Sequence, residues 1–152
     1  MEGSVVASVL DALWCPVLVA RSPRVDRVLL ATDGSAPSDA ATEVVERWPI
    51  FDGLPVQVLS VAAGEMADMA QAQQVADATA ARLRAAAREA VPHVRRGEAA
   101  AAIVEVARAQ ETDLVVLGSR GQTGLRRAIL GSVARDVLAS AEGSVLVVSA
   151  DG

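Results

Sequence analysis

Short β-branched and apolar runs recur along this chain, and each is followed by a stretch that reads as helix or turn. The runs are Val25 to Ala31, Val56 to Ala62, Asp113 to Gly118 and Val145 to Val148, with a weaker one around His93 to Arg95 that ends at Gly97. After Ala31, Ser35 or Ser38 is placed to cap a helix, and Pro37 is tolerated in its first turn. That helix carries Ala40, Val44, Val45 and Trp48 on one side and closes before Pro49. Glu65 to Ala90 is rich in Ala and Gln and has high helix propensity throughout. A helix over Glu98 to Gln110 would bury Ile103, Val106 and Ala107, and a last one runs from about Ser132 to Ala139. Strands alternating with helices need crossover connections and hence parallel pairing. The predicted fold is α/β: an open, mostly parallel five-stranded sheet sandwiched by helices.

Composition supports this and narrows the function. At 152 residues, 52% hydrophobic, the chain is long enough for one core without covalent staples. Trp14, Trp48 and Phe51 are its only aromatic residues, so the core must be aliphatic, as suits a sheet covered on both faces. The net charge of −5 argues against a nucleic-acid surface, and the scarcity of aromatics argues against single-strand stacking. Cys15 stands alone, so no internal disulfide forms, in keeping with a reducing cytoplasm. It also has no partner His or CxxC context that would make it a catalytic thiol. Val5 to Ala20 is apolar, but Glu2 and Asp11 do not suit a signal peptide, and no run reaches the roughly 18 apolar residues that span a bilayer. The expectation is a cytoplasmic protein without membrane or nucleic-acid partners. Met66 and Met69 read as core, and His93, without metal-ligand companions, as structural or exposed.

The first twenty residues repeat the last twenty. Gly3 to Ala20 (GSVVASVLDALWCPVLVA) lies over Gly131 to Val148 (GSVARDVLASAEGSVLVV) without a gap, at a constant offset of 128 residues from Gly3 to Gly131. The Gly-Ser-Val opening, the Val-Leu pair in mid-helix and the Val-Leu-Val strand coincide. Residues 1–22 therefore read as the closing helix and strand of a preceding, related domain, joined through Arg21 to Arg24 to a complete domain over residues 25–150. The tail strand, Val17 to Ala20, is expected to pair with the edge strand Val145 to Val148, within one chain or across a dimer.

Glycines crowd the exit of the run Asp113 to Leu117: GSRGQTGLRRAILGS spans Gly118 to Ser132. In doubly wound sheets, ligands sit beyond the carboxyl ends of strands near a switch point. A phosphate chain there wants bare backbone N–H groups, little bulk and the positive end of a helix. Gly118 and Gly121 allow close approach or positive φ, and Gly131 and Ser132 stand where the next helix begins. The stretch is neither a Walker A loop nor a GxGxxG fingerprint, and glycines after a strand are often only turn residues. Arg120, Arg126 and Arg127 are either phosphate contacts or solvated.

The G-x2-G-x9-G-S spacing at Gly118, Gly121, Gly131 and Ser132 resembles the nucleotide-binding signature of the universal stress protein family. Ala31-Thr32-Asp33-Gly34-Ser35, Leu59-Ser60-Val61 and Asp113 to Gly121 are similar to the same pattern, and the resemblance covers residues 25–150. It implies a Rossmann-like fold of the adenine nucleotide alpha hydrolase-like type, and an adenine nucleotide, ATP first, at the strand ends. By the same resemblance Asp33 contacts the adenosine end, and Val61 offers backbone groups to the adenine edge. Ala31 and Thr32 line base and ribose, while Gly118, Arg120, Gly121, Gly131, Ser132 and Val133 hold ribose and phosphates. Mg²⁺, where present, would be held mainly by phosphates and water. The family's habit of dimerising through its last strand implies a homodimer through Val145 to Val148, with Val17 to Ala20 able to take that place.

Two features depart from the family pattern. Gly143-Ser144 replaces a Cys-Pro-like lead into the last strand, although the tail keeps Cys15-Pro16, and Gly97-Glu98-Ala99 lacks the usual Pro. Three functions remain open: an ATP-binding regulatory or stress-response module, a slow ATP hydrolase, and a nucleotide-independent interaction module. Hydrolysis needs a positioned base or metal carboxylates near the phosphates, and the glycine stretch offers only arginines and Ser132. No catalytic residue and no protein metal ligand is assigned. The loop Asp33-Gly34-Ser35-Ala36 is also unlike the Ser-Gly-Gly-x-Asp-Ser loop of the related pyrophosphatase-like enzymes.

Overall fold

The computed structural model describes residues 15–119 and 130–150. Along the chain run β1 (Val17–Val19), β2 (Val28–Ala31), α1 (Ala36–Arg47), a 3-10 turn (Pro49–Phe51), β3 (Pro55–Ala62), α2 (Met66–Ala85), β4 (Glu89–Arg96), α3 (Ala99–Ala109), β5 (Leu114–Gly118), α4 (Ser132–Ser140) and β6 (Ser144–Val148). The sheet order is β1-β6-β5-β2-β3-β4. β2 to β6 pair in parallel, and β1 adds antiparallel to β6. The sheet thus has six strands rather than five, because the tail strand joins the five expected of the domain. Its helix half, residues 3–14, lies outside the described residues.

Alternate side chains feed two cores. Leu29, Val115, Val145 and Val147 meet Ile103 and Val106 of α3 and Ala134, Val137 and Leu138 of α4 on one face. Val28, Leu30, Val116 and Leu146 meet Val44 and Val45 of α1, Ala80 and Leu83 of α2, and Phe51 on the other. Burial on both faces explains why these strands read as continuous apolar runs. Among the described residues, no helix is long and apolar enough to cross a membrane.

Where element boundaries differ from the sequence reading, a specific contact decides. β2 begins at Val28 rather than Val25, because the amides of Asp26 and Arg27 both donate to Asp113 Oδ2 (2.9 Å each) instead of to a neighbouring strand. α2 stops at Ala85, not Ala90: Ala87 takes φ +64°, and the chain reverses. Glu89 to Arg96 then pairs with β3 over its whole length, so sheet formation overrides helix propensity. The short strand expected around His93 is therefore eight residues long, and Pro92 is tolerated because β4 is an edge strand. Met66, expected in the core, is 82% exposed at the start of α2, and Trp48 just after α1 is also exposed. His93 is partly buried, its Nε2 against Gln57 Oε1.

A buried arginine closes the far end of α1. Arg88 donates to the carbonyls of Val45 (3.0 Å), Glu46 (3.1 Å) and Trp48 (3.0 Å), and pairs with Asp52. A cation satisfying the last carbonyls of a helix complements its dipole, so this contact anchors α1 against β4.

Candidate functional site

From β2 the chain crosses to β3 through α1 on one face, and from β5 it crosses to β6 through α4 on the other. The pair β2–β5 is therefore the topological switch point, and in open sheets of this kind ligands sit beyond the carboxyl ends of the strands at that point. Ala31, Thr32 and Asp33 at the end of β2, Gly118 at the end of β5, and Gly131, Ser132 and Val133 at the start of α4 all belong to this end. Val61 belongs there too, near the end of β3. Arg120, Gly121, Arg126 and Arg127 lie outside the described residues.

The β2–α1 loop is tied by its own groups. Thr32 N–H continues the ladder to Leu59 O (2.9 Å), and Thr32 Oγ1 donates to Ser38 Oγ (3.2 Å). Gly34 N–H donates to Thr32 Oγ1 (3.4 Å), and Ser35 N–H donates to Asp33 Oδ1 (3.0 Å). Gly34 has φ +80°, which a side chain would resist. Ser35, not Ser38, is the cap of α1, accepting from Ser38 N–H (3.4 Å), while Ser38 Oγ donates to Ser35 O and Thr42 Oγ1 to Ser38 O. Asp33 is half-buried and already part of an Asx turn. Thr32, assigned by resemblance to base and ribose, is buried with its hydroxyl committed to Ser38.

Val61 is presented differently. Thr32 N–H reaches Leu59 O, so Leu59 turns its backbone groups toward β2, and strand alternation turns those of Val61 the same way. The β2–β3 register ends at Ala31 opposite Leu59, so Val61 directs its amide and carbonyl past the end of β2.

The β5–α4 loop is pinned at its neck. Ser119 N–H donates to Val148 O (2.8 Å), and Gly131 N–H donates to Ser119 O (2.7 Å). Gly118 lacks a side chain for a steric reason within the protein: a Cβ there would lie 2.7 Å from the carbonyl carbon and the Cβ of Pro37 in α1. Gly131 is the N-cap of α4 with φ −68°, an ordinary value, and no side chain caps the helix. The first amides of α4, those of Ser132, Val133 and Ala134, have no acceptor within the helix. Beside them Ser119 is 2% exposed, and its buried Oγ has no hydrogen-bond partner among the described residues. Sequence reasoning did not single out Ser119, since nothing distinguishes it from the other loop serines until β6 and α4 close over it. Among the described residues no cluster of His, Cys, Asp and Glu could hold a metal.

An uncapped helix N-terminus next to a buried, unpartnered hydroxyl at a switch point suits an anion. The comparisons with known proteins agree with this fold. A universal stress protein of Methanocaldococcus jannaschii is 52% identical over 46 residues, which is 30% of this chain and 27% of that relative's length. The matching segment is thus a small part of that protein. The universal stress protein from Archaeoglobus fulgidus in complex with dAMP superposes with a TM-score of 0.65 at 22% identity, covering 82% of this chain and 98% of the other. A universal stress protein in complex with cAMP gives 0.63 at 23%, covering 82% and 96%. The family model described as the universal stress protein family matches residues 24–149, and the chain belongs to that family.

Proposed function

We propose that the chain binds an adenine nucleotide, ATP in the first place, at the carboxyl ends of β2, β3 and β5, and that the nucleotide controls its conformation or association as a regulatory or stress-response module. The observation that carries this is the open start of α4 beside the buried Ser119 hydroxyl. That hydroxyl and the first amides of α4 fit phosphate oxygens, and the dAMP and cAMP complexes of relatives support an adenine ligand. Val61 offers its backbone amide and carbonyl to the adenine edge. Asp33 serves the adenosine end, with Ala31 and the backbone of Thr32 beneath base and ribose. Gly131, Ser132 and Val133, with Arg120 and Gly121, hold ribose and phosphates. Gly118 contributes by letting β5 close on Pro37, which sets the two loops at one crevice. Mg²⁺ enters with the phosphates, held by them and by water.

The test is to identify any nucleotide released by denaturing the purified protein, then to titrate stripped protein with ATP and Mg²⁺. The Gly121→Val, Gly131→Val variant serves as control, because φ at Gly131 suits any residue and the Val there probes ligand approach rather than backbone strain. Micromolar binding that the variant weakens by about tenfold or more, equal to about 1.4 kcal/mol, is the expected result. No released nucleotide and no binding by folded protein would overturn the reading and leave an interaction module. Phosphate release on incubation would show hydrolysis in addition.

A further inference from the structure

α3 and α4 lie side by side on one face of the sheet, and a groove of about 550 Å³ runs between them. From α3 and its cap the groove is lined by Glu98, Ala101, Glu105 and Arg108, which recur every three or four residues and so form one stripe of the helix. Asp136 and Ser140 line it from α4. Ala100, Ala101 and Val104 are small, which leaves the space between the helices unfilled.

The groove adjoins a second space. Val104 and Arg108 line both the groove and a cavity of about 200 Å³, whose wall is aliphatic through Val104, Ala107, Val115 and Ala141. That volume has room for a Leu or Ile side chain. Arg108 Nε donates to Glu142 Oε1 (2.8 Å), and both residues belong to the lining of the cavity. Both side chains are mostly exposed, so the pair contributes little and costs little to open.

The helix pair on the other face shows what this groove is missing. There Arg82 of α2 stands against two carboxylates of α1, Glu46 at 2.8 Å and Asp39 at 4.0 Å, so a cation joins the two helices. Between α3 and α4 the exposed carboxylates of Glu105 and Asp136 have neither an ion pair nor a hydrogen bond among the described residues. Glu98 caps α3 by accepting from Ala101 N–H (2.8 Å) and keeps its negative charge. Arg108, the one cation in the lining of the groove, is engaged by Glu142. The groove thus offers three carboxylates beside an aliphatic cavity and has no uncommitted cation of its own.

We propose that the α3–α4 groove docks a basic segment of a partner protein. Lys or Arg residues of that segment take the place between Glu105 and Asp136 that Arg82 takes between α1 and α2, and an aliphatic side chain of the same segment fills the cavity as its anchor. A metal ion or a polyamine would meet the carboxylates but leave the aliphatic cavity empty, and an apolar small molecule would leave the carboxylates unpaired. A peptide carrying both kinds of side chain uses the whole surface. This inference does not rest on the nucleotide reading.

The experiment selects binders to the full chain from a phage-displayed library of random dodecapeptides, then measures the affinity of the enriched peptides by fluorescence anisotropy. Glu105→Lys with Asp136→Lys reverses the charge of the groove, and Ala107→Leu fills the cavity without changing charge. Glu43→Lys with Asp77→Lys makes the same change in net charge on α1 and α2, at the other face, and serves as control. Enriched peptides are expected to combine an aliphatic residue with Lys or Arg. Their affinity should fall about tenfold or more in each groove variant and less than about twofold in the control. Circular dichroism checks that each variant folds. Should Ala107→Leu fail to fold, Val104→Gln, where groove and cavity meet, takes its place with the same expectation. A library that yields no enriched peptide overturns the proposal, as do peptides that bind either groove variant as tightly as the parent. A loss in the charge-reversed variant that the control matches overturns it too, since net charge alone would then account for binding.

Discussion

The two loops at the switch point contrast in how they treat their own polar groups. Between β2 and α1, Thr32, Asp33, Ser35 and Ser38 exchange hydrogen bonds among themselves and with the backbone. Between β5 and α4, the neck is fixed by the backbone of Ser119 and Gly131, but the Ser119 hydroxyl is buried without a partner among the described residues and α4 starts uncapped. The first loop is shaped by its own bonds. In the second, a buried hydroxyl and the first amides of α4 stay without partners among the described residues, and these are the donors the proposed nucleotide would use.

The contrast breaks most severely at Gly118, where the two loops touch. Gly118→Val drives a Cβ to 2.7 Å from the carbonyl carbon of Pro37 and 2.9 Å from its carbonyl oxygen. Pro37 sits between Ser35 and Ser38, whose bonds hold the first turn of α1, so relief by movement is costly. Overpacking of this kind should cost about 3 kcal/mol. Thermal unfolding should fall by roughly 6–12 °C in a domain of this size. An unchanged melting temperature would show that the first loop is not rigid and remove one side of the comparison.

Thr32→Val comes next. It removes the acceptor of Gly34 N–H and the donor to Ser38 Oγ without changing the side chain's size. A lost buried hydrogen bond with an orphaned partner should cost about 1–2 kcal/mol, read by urea denaturation. Ser35→Ala removes the cap of α1 and should cost about 1 kcal/mol in the same experiment. Neither change should reduce nucleotide affinity as much as it reduces stability, because both hydroxyls already serve the fold.

Legibility in the sequence followed whether the cause was local. β5 and β6 read as apolar runs because both their faces are covered, and Ser35 and Ser38 both read as caps, of which the Ser38 N–H bond to Ser35 selects Ser35. The end of α2 was not legible: Ala-rich sequence favours helix up to Ala90, and only pairing with β3 makes residues 89–96 a strand. Val25 belongs to an apolar run but not to β2, since Asp113, distant in sequence, captures the next two amides. Glycine spacing pointed to the stretch after β5 as a candidate site, whereas the reason for Gly118 is a tertiary approach to Pro37 that no spacing encodes.

The smallest expected effect sharpens the comparison furthest. Ser119→Ala deletes a buried hydroxyl that has no partner among the described residues, so no bond among them is lost and a desolvation penalty is shed. Stability should be unchanged or slightly higher, with a melting temperature equal to the parent's or up to about 3 °C above it. On the proposed nucleotide reading, affinity for ATP should nonetheless fall several-fold. Ser35→Ala, the same substitution across the crevice, should do the reverse, lowering stability and sparing affinity. If Ser119→Ala destabilises the free protein as much as Ser35→Ala does, the hydroxyl already serves the fold, and the second loop holds nothing in reserve.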